Sequence, residues 1–120
     1  MTSHKLVMPS DMNPHGFLFG GKMLMWIDEI ASIAVARDYP GFAFVTVGMA
    51  EATFRKGVPP RSILRFDAER TRVGTTSVTY RVDVFCRPLV EDADETAVFC
   101  SDITFVRVDE HGKKCPIRRG

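Results

Sequence analysis

The sequence predicts an α+β fold in which one long helix packs against an antiparallel sheet of about five strands. Three observations carry that expectation. The run from Lys22 to Asp38 contains neither Gly nor Pro and is apolar around most of a helical circumference. Beyond residue 41 the texture changes to alternating segments rich in β-branched and aromatic residues. The connections between those segments are short, which favours antiparallel neighbours.

Taken in order, Lys5 to Met8 is a short apolar strand ended by Pro9. Ser10-Asp11-Met12-Asn13-Pro14-His15-Gly16 is dense in turn formers and reads as an ordered loop. Phe17-Leu18-Phe19 leads to Gly20-Gly21; the helix follows, about four to five turns long, and Pro40-Gly41 ends it. Placed at intervals of about 100°, Met23, Leu24, Ile27, Ile30, Ala31, Ala34 and Val35 form one broad face, with Lys22, Glu29 and Ala36 opposite. A face this wide requires a sheet that curls around the helix. Trp26 and Ile33 lie near the narrow polar side, where a second subunit is expected to complete their burial.

Phe42 to Val47 and Glu51 to Phe54 form one long strand region, with a bulge expected at Gly48. Val58-Pro59-Pro60 interrupts. Ile63 to Arg70 alternates as a half-buried strand should, and Val73-Gly74-Thr75-Thr76 supplies a turn. Ser77 to Phe85 alternates again, Glu91 to Glu95 is the next turn, and Thr96 to Val108 is the last strand, closed by Asp109-Glu110-His111-Gly112.

Composition excludes several function classes. The 120 residues, 45% hydrophobic and 26% charged, suit a single domain over residues 1–120 that buries enough core to stand without staples. Sixteen basic against fifteen acidic residues, a net charge of +1, give no bulk field for nucleic acid or an anionic membrane. Met23 to Ile27 is far short of a bilayer span, and the N-terminal apolar stretch is too short for a signal peptide. Cys86, Cys100 and Cys115 are odd in number and widely spaced, so they read as packing residues in a reducing cytoplasm rather than a disulfide framework. No His or carboxylate pair has metal-ligand spacing, and no metal is expected.

Four features could carry chemistry. Asp28 lies beside Ser32 and Val35, on the shoulder between apolar face and polar stripe. It is either a partly desolvated base or nucleophile, or a carboxylate that stays wet. Gly20 and Gly21 stand where a helix begins, so their N–H groups could polarise a carbonyl oxygen, or could simply shape a tight turn. Asn13 can hold a water or a carbonyl, or form a local Asx-turn, and His15 beside it is a possible acid–base helper. Arg72, Thr75, Thr76 and Ser77 around Gly74 combine a cation with hydroxyls, a candidate phosphate contact or a plain polar turn. His4 and His111 lie near the ends and are discounted. Lys113, Lys114, Arg118 and Arg119 make a basic tail that reads as a solvated end.

Together these residues resemble a known family. The stretch from Met8 through Gly21, then Met25-Trp26-Ile27-Asp28-Glu29, is similar to the signature of hotdog-fold acyl-CoA thioesterases: D-x-N-x-x-G-x-x-F-G-G, six residues, then an acid. Further similarity lies at Val45-Thr46-Val47, Phe54-Arg55-Lys56, Arg72 through Ser77 and Thr104 through Asp109, so it spans nearly the whole chain. The resemblance implies a hotdog fold, five antiparallel strands wrapped around one long central helix. It implies a homodimer with sites at the interface, often assembled into tetramers or hexamers, and hydrolysis of acyl-CoA to free acid and CoA without metal or redox cofactor. Gly20 aligns with the family's backbone donor to the thioester carbonyl, Asp28 with its helix acid, Asn13 with its loop amide. Lys56, Arg72, Gly74, Thr75 and Thr76 match regions that contact CoA. Phe17 departs from the pattern, because relatives often carry Asp or Asn there and a phenyl ring can do no such chemistry. Two other readings stay open on the same fold: a non-hydrolytic acyl-CoA binding protein, favoured by Phe17, and a thioester hydratase or dehydratase, for which no paired His and carboxylate is found.

Overall fold

Gly20–Asp38 forms a 19-residue helix because nothing within it interrupts the backbone ladder and one whole face is apolar. In the computed structural model, which describes residues 1–117, this helix, α1, lies between strands in the order β1 (Thr2–Leu6), α1, β2 (Ala43–Phe54), β3 (Ser62–Val73), β4 (Ser77–Pro88) and β5 (Thr96–Val108). Arg118 and Arg119 of the basic tail lie outside the described residues. The strands make one sheet of order β1-β3-β4-β5-β2, antiparallel at every pairing. This is the expected five-stranded sheet with one helix packed against it.

The inner face of the sheet holds the core. Leu64 and Phe66 of β3, Val78, Tyr80, Val82 and Val84 of β4, and Phe99, Ile103 and Phe105 of β5 are all buried. They meet Met23, Ile27, Ile30, Ala31 and Ala34 of the helix in one cluster. The outer face is charged: Arg65 bridges Asp67 and Glu95, and Arg81 lies near Asp83 and Asp102. Alternation along each strand produces this division, since successive side chains point to opposite faces.

Four sequence expectations change. The first strand is Thr2–Leu6, not Lys5 to Met8, because its ladder with β3 runs from Thr2↔Asp67 to Leu6↔Ile63. Beyond it the Val7 N–H still donates to the Ser62 carbonyl (2.9 Å), while the Val7 side chain is buried in the core. The helix begins at Gly20 itself, with extended Phe19 as its N-cap, so the glycines belong to its first turn. Trp26 is not left for a second subunit: it is 6% exposed, with the Lys5 ammonium 5.7 Å from its ring centroid. Ile33 does remain exposed, and so does Met25. Finally, β2 and β3 are joined by a short link but are not neighbours. Crossing three strand spacings requires about 14 Å, well within the reach of the extended link containing Pro59 and Pro60. That crossing leaves β2 at a sheet edge.

Strand β2 is irregular in two places, between Thr46 and Gly48 as expected and again between Ala50 and Thr53, where Glu51 has φ 55°. Ser101, fully buried, donates from Oγ to the Ala50 carbonyl (3.1 Å) and holds the second irregularity in place. The free cysteines are packing residues as expected for Cys86 and Cys100, both buried. Burial pushes the Cys86 thiol up from its ordinary value, against a smaller opposite effect of Ser62 and Lys56.

Candidate active site

The loop before the helix is organised by Asp11. Its carboxylate, in a residue 7% exposed, accepts the Met8 N–H (2.8 Å) and lies 3.4 Å from the Lys22 ammonium. Its carbonyl accepts the Phe19 N–H at 2.9 Å. Asp11 thereby ties a 3-10 turn, Pro9–Asp11, to the start of α1. In the sequence Asp11 is one letter of a signature; its structural work shows in these hydrogen bonds.

Asn13 forms the Asx-turn. Its Oδ1 accepts the N–H groups of His15 (2.9 Å) and Phe17 (3.2 Å), so that oxygen is committed to the loop and Nδ2 is the end left for another partner. His15 is exposed at the loop tip.

At the helix start the backbone donors stand open. Lys22 and Met23 both direct their N–H groups to the Phe19 carbonyl (3.0 and 3.3 Å). Gly20 and Gly21 have no intrahelical acceptor by geometry, no side chain caps the turn, and no acceptor for them occurs among the described residues. A pair of donors at the positive end of a 19-residue helix suits a developing oxyanion. The glycines also make room. A Cβ on Gly21 would lie 2.7 Å from Phe19 Cε1, which no side chain tolerates without moving the ring.

Asp28 is half-buried and faces the edge strand, where the Thr46 hydroxyl donates to its Oδ1 at 2.8 Å. One carboxylate oxygen is thus held, and the other has no hydrogen-bond partner among the described residues. In the sequence Thr46 belongs to a tripeptide that matches the family; its alternation on β2 signals an inward side chain, but not its partner. Within one chain Asp28 and Gly20 do not meet. Eight residues along a helix is about 12 Å, too far for both to act on one carbonyl group.

The CoA candidates divide between the two ends of the sheet. Lys56 follows Phe54, at the end where Phe54 packs on Phe99 near Gly20. Gly74, Thr75 and Thr76 form the β3–β4 turn at the opposite end, where the Gly74 N–H donates to the Ser77 carbonyl (2.7 Å). Arg72 borders a groove of about 560 Å³ on the outer face, lined also by Thr71, Thr79, Arg81 and Thr104. From Val84, paired with Phe99, to Ser77 is about 23 Å of strand. The fold separates what the sequence grouped as one site. A second cavity, about 280 Å³, lies against Asp38, Arg70 and Tyr80 at the other helix end, and none of the expected site residues borders it. Among the described residues no three His, Cys, Asp or Glu side chains gather as metal ligands, and no helix is long and apolar enough to cross a membrane.

Comparison with known proteins adds to this geometry. Residues 15–93 match the family model of the thioesterase superfamily. An uncharacterized acyl-CoA thioester hydrolase of Bacillus subtilis is 37% identical over 113 residues, which is 94% of this chain and 64% of that protein, so the chain spans less than two-thirds of this relative's length. A hexameric hotdog fold thioesterase of Campylobacter jejuni superimposes with a TM-score of 0.87 at 31% identity, over 97% of this chain and 88% of the other. An acyl-CoA hydrolase of Staphylococcus aureus, solved with butyryl coenzyme A, coenzyme A and coenzyme A disulfide, gives a TM-score of 0.87 at 28% identity, over 97% and 70% of the two chains.

Proposed function

The chain belongs to the thioesterase superfamily, and from that premise we propose that it hydrolyses the thioester of an acyl-CoA to the free carboxylic acid and CoA. The observation that carries this is the open donor pair of Gly20 and Gly21 at the start of a helix with no side-chain cap. In this reading their N–H groups hold the thioester oxygen as it gains negative charge. Asp28 either takes a proton from water, which attacks the carbonyl carbon, or attacks that carbon itself. In the first case the tetrahedral intermediate expels the CoA sulfur, which takes the proton back from Asp28; in the second the sulfur leaves as thiolate from a mixed anhydride on Asp28, which a water then hydrolyses to the free acid and the regenerated carboxylate. Asn13 assists through Nδ2, its oxygen being occupied, and His15 remains an assisting group at the loop tip. The chemistry uses water and the chain's own groups, with no metal or redox cofactor.

Two copies make the site. Support comes from the axial separation of about 12 Å between Gly20 and Asp28 and from the unpaired outer edge of β2, along which Val45, Val47 and Phe54 are exposed. If β2 pairs antiparallel with β2 of a second copy about a two-fold axis near Ala50, one copy's Thr46 and Asp28 come beside the other's Gly20. The same operation carries the turn with Arg72, Gly74, Thr75 and Thr76 towards the end that holds Lys56, where a CoA nucleotide could lie across both. Such dimers assembling further, into tetramers or hexamers, agrees with hexameric relatives such as that of Campylobacter jejuni. The free thiols suit a cytoplasmic setting.

Release of free CoA from a panel of acyl-CoAs, followed with a thiol-reactive dye against a protein-only control, tests the reading. Asp28→Asn should lower kcat by about a thousandfold while the dimer stays folded by circular dichroism and sedimentation. Near-normal turnover by that variant would remove Asp28 from the mechanism. Binding without CoA release would instead favour the acyl-CoA binding protein.

A further inference from the structure

The groups around Gly20 and Gly21 determine what can be bonded to a carbonyl seated there. Phe54 Cζ lies 3.5 Å from where a Cβ on Gly20 would stand, hence no more than about 6 Å from the Gly20 nitrogen by backbone bond lengths. The Phe19 ring lies closer still to Gly21, and the Phe17 ring covers Gly57 on the loop side, with Cδ1 2.8 Å from that residue's notional Cβ. These three rings are 47%, 54% and 52% exposed for Phe17, Phe19 and Phe54. Phe54 is not a loose flap: its ring centroid stands 4.4 Å from that of buried Phe99.

Resting on the thioesterase reading, we propose that Phe54, with Phe19 beside it, seats the first carbons of the acyl chain, and that Phe54 is the residue that sets the preference for acyl-chain length. The argument is a covalent tether. A carbonyl oxygen about 2.9 Å from the Gly20 nitrogen brings both substituents of the carbonyl carbon within a few bond lengths of these rings. One substituent is the sulfur with its pantetheine arm, whose amides need hydrogen-bond partners that phenyl rings do not supply. The other is the acyl chain, which needs none. Each methylene laid on the rings is worth about a fourfold gain when fully buried. A terminal carboxylate would have to shed water against the same rings. A subsite that rewarded an ionised terminus would need a cation against these rings, so the two effects can be set against each other.

The experiment measures kcat/KM for acetyl-, butyryl-, hexanoyl- and succinyl-CoA with the wild-type chain, Phe54→Ala and Phe54→Leu. Butyryl and succinyl differ only in exchanging a terminal methyl for a carboxylate. Hexanoyl-CoA should exceed acetyl-CoA at least about tenfold, and butyryl should exceed succinyl by a similar factor. Phe54→Ala should collapse the hexanoyl preference, with the loss read in KM, and Phe54→Leu should restore most of it. Succinyl-CoA turned over as well as butyryl-CoA, or an unchanged hexanoyl-to-acetyl ratio in Phe54→Ala, overturns the subsite. If no CoA is released from any of the four, the hydrolase reading fails by itself. The same ratios are then read as Kd by titration calorimetry, and equal Kd for butyryl and succinyl overturns the subsite.

Discussion

The two ends of α1 are built on opposite plans. At its C-terminal end the polar side chains of Asp38, Tyr39, Arg70 and Tyr80 are tied together. Tyr39 caps the helix with its N–H on the Val35 carbonyl (3.0 Å), and its ring stacks on Phe42 at 6.0 Å. Arg70 donates to the Tyr39 hydroxyl (3.0 Å), and the Tyr80 hydroxyl donates to Asp38 Oδ2 (2.6 Å). At the N-terminal end the cap is a phenylalanine with no capping hydrogen bond, two N–H groups stand open, and phenyl rings are left half-covered. A helix needs only one well-tied end and a buried face to be held in place, so the other end is free to keep its donors for a ligand. One end is tied down by side-chain hydrogen bonds, and the other keeps unpartnered backbone donors.

That contrast makes distinct demands on variants. The largest effect after Asp28→Asn is expected for Gly20→Pro. Proline is accepted at the first helical position, and Phe19 already has the extended conformation (φ −65°, ψ 128°) that a following proline requires. The substitution therefore deletes one donor while sparing the helix. Turnover should drop by about a hundredfold with the thermal midpoint nearly unmoved. A variant that loses its fold, or keeps its activity, would break the claim that this end is built for binding.

Thr46→Val sharpens the same claim at the edge strand. It removes the hydroxyl that holds Asp28 Oδ1 and keeps the β-branched shape. A fall of about tenfold in kcat, with KM and oligomeric state unchanged, marks Thr46 as a positioning residue. If activity is unaffected, the hydrogen bond is merely structural.

The closed end should respond the other way. Tyr80→Phe should cost about 2 kcal/mol, as for a partly buried hydrogen bond to a carboxylate, seen in urea unfolding at unaltered kcat/KM. Burial first, and then the bond to Asp38, raise the Tyr80 phenol well above its ordinary value. The folded state therefore holds that proton more tightly than the unfolded chain. The stability involved is present below about pH 10, the unfolded phenol value, and is lost as pH rises beyond it. Alkaline unfolding should accordingly be shallower in Tyr80→Phe than in the wild type, and an identical alkaline slope would count against this account of the closed end.

Much of this protein was legible from local pattern. The helix and the β4 and β5 segments follow from period and composition, because burying one face of an element imposes that period on its own residues. Asp28 stands out for the same reason, as a carboxylate on the shoulder of an apolar face. Asn13 was legible down to its alternatives, and the structure selects the Asx-turn for its oxygen while leaving Nδ2 free. Long-range facts were not legible. The first strand was misplaced by its register against β3, which depends on a strand some sixty residues away. Trp26 looked like interface because a helical wheel does not show Lys5 reaching across from β1.

The sequence by itself determined one long helix, about five antiparallel strands and a carboxylate on the shoulder of an apolar helix face, since each depends on side chains a few positions apart. Only the tertiary structure decided that β2 leaves β3 for the far edge of the sheet, that Thr46 meets Asp28, and that Phe54 stands over Gly20. Those contacts depend on how the chain crosses its own sheet, and no local periodicity encodes that crossing. The separation of Gly20 from Asp28 has the same origin. A rigid helix keeps them about 12 Å apart, a distance that eight residues of one motif do not reveal in the sequence.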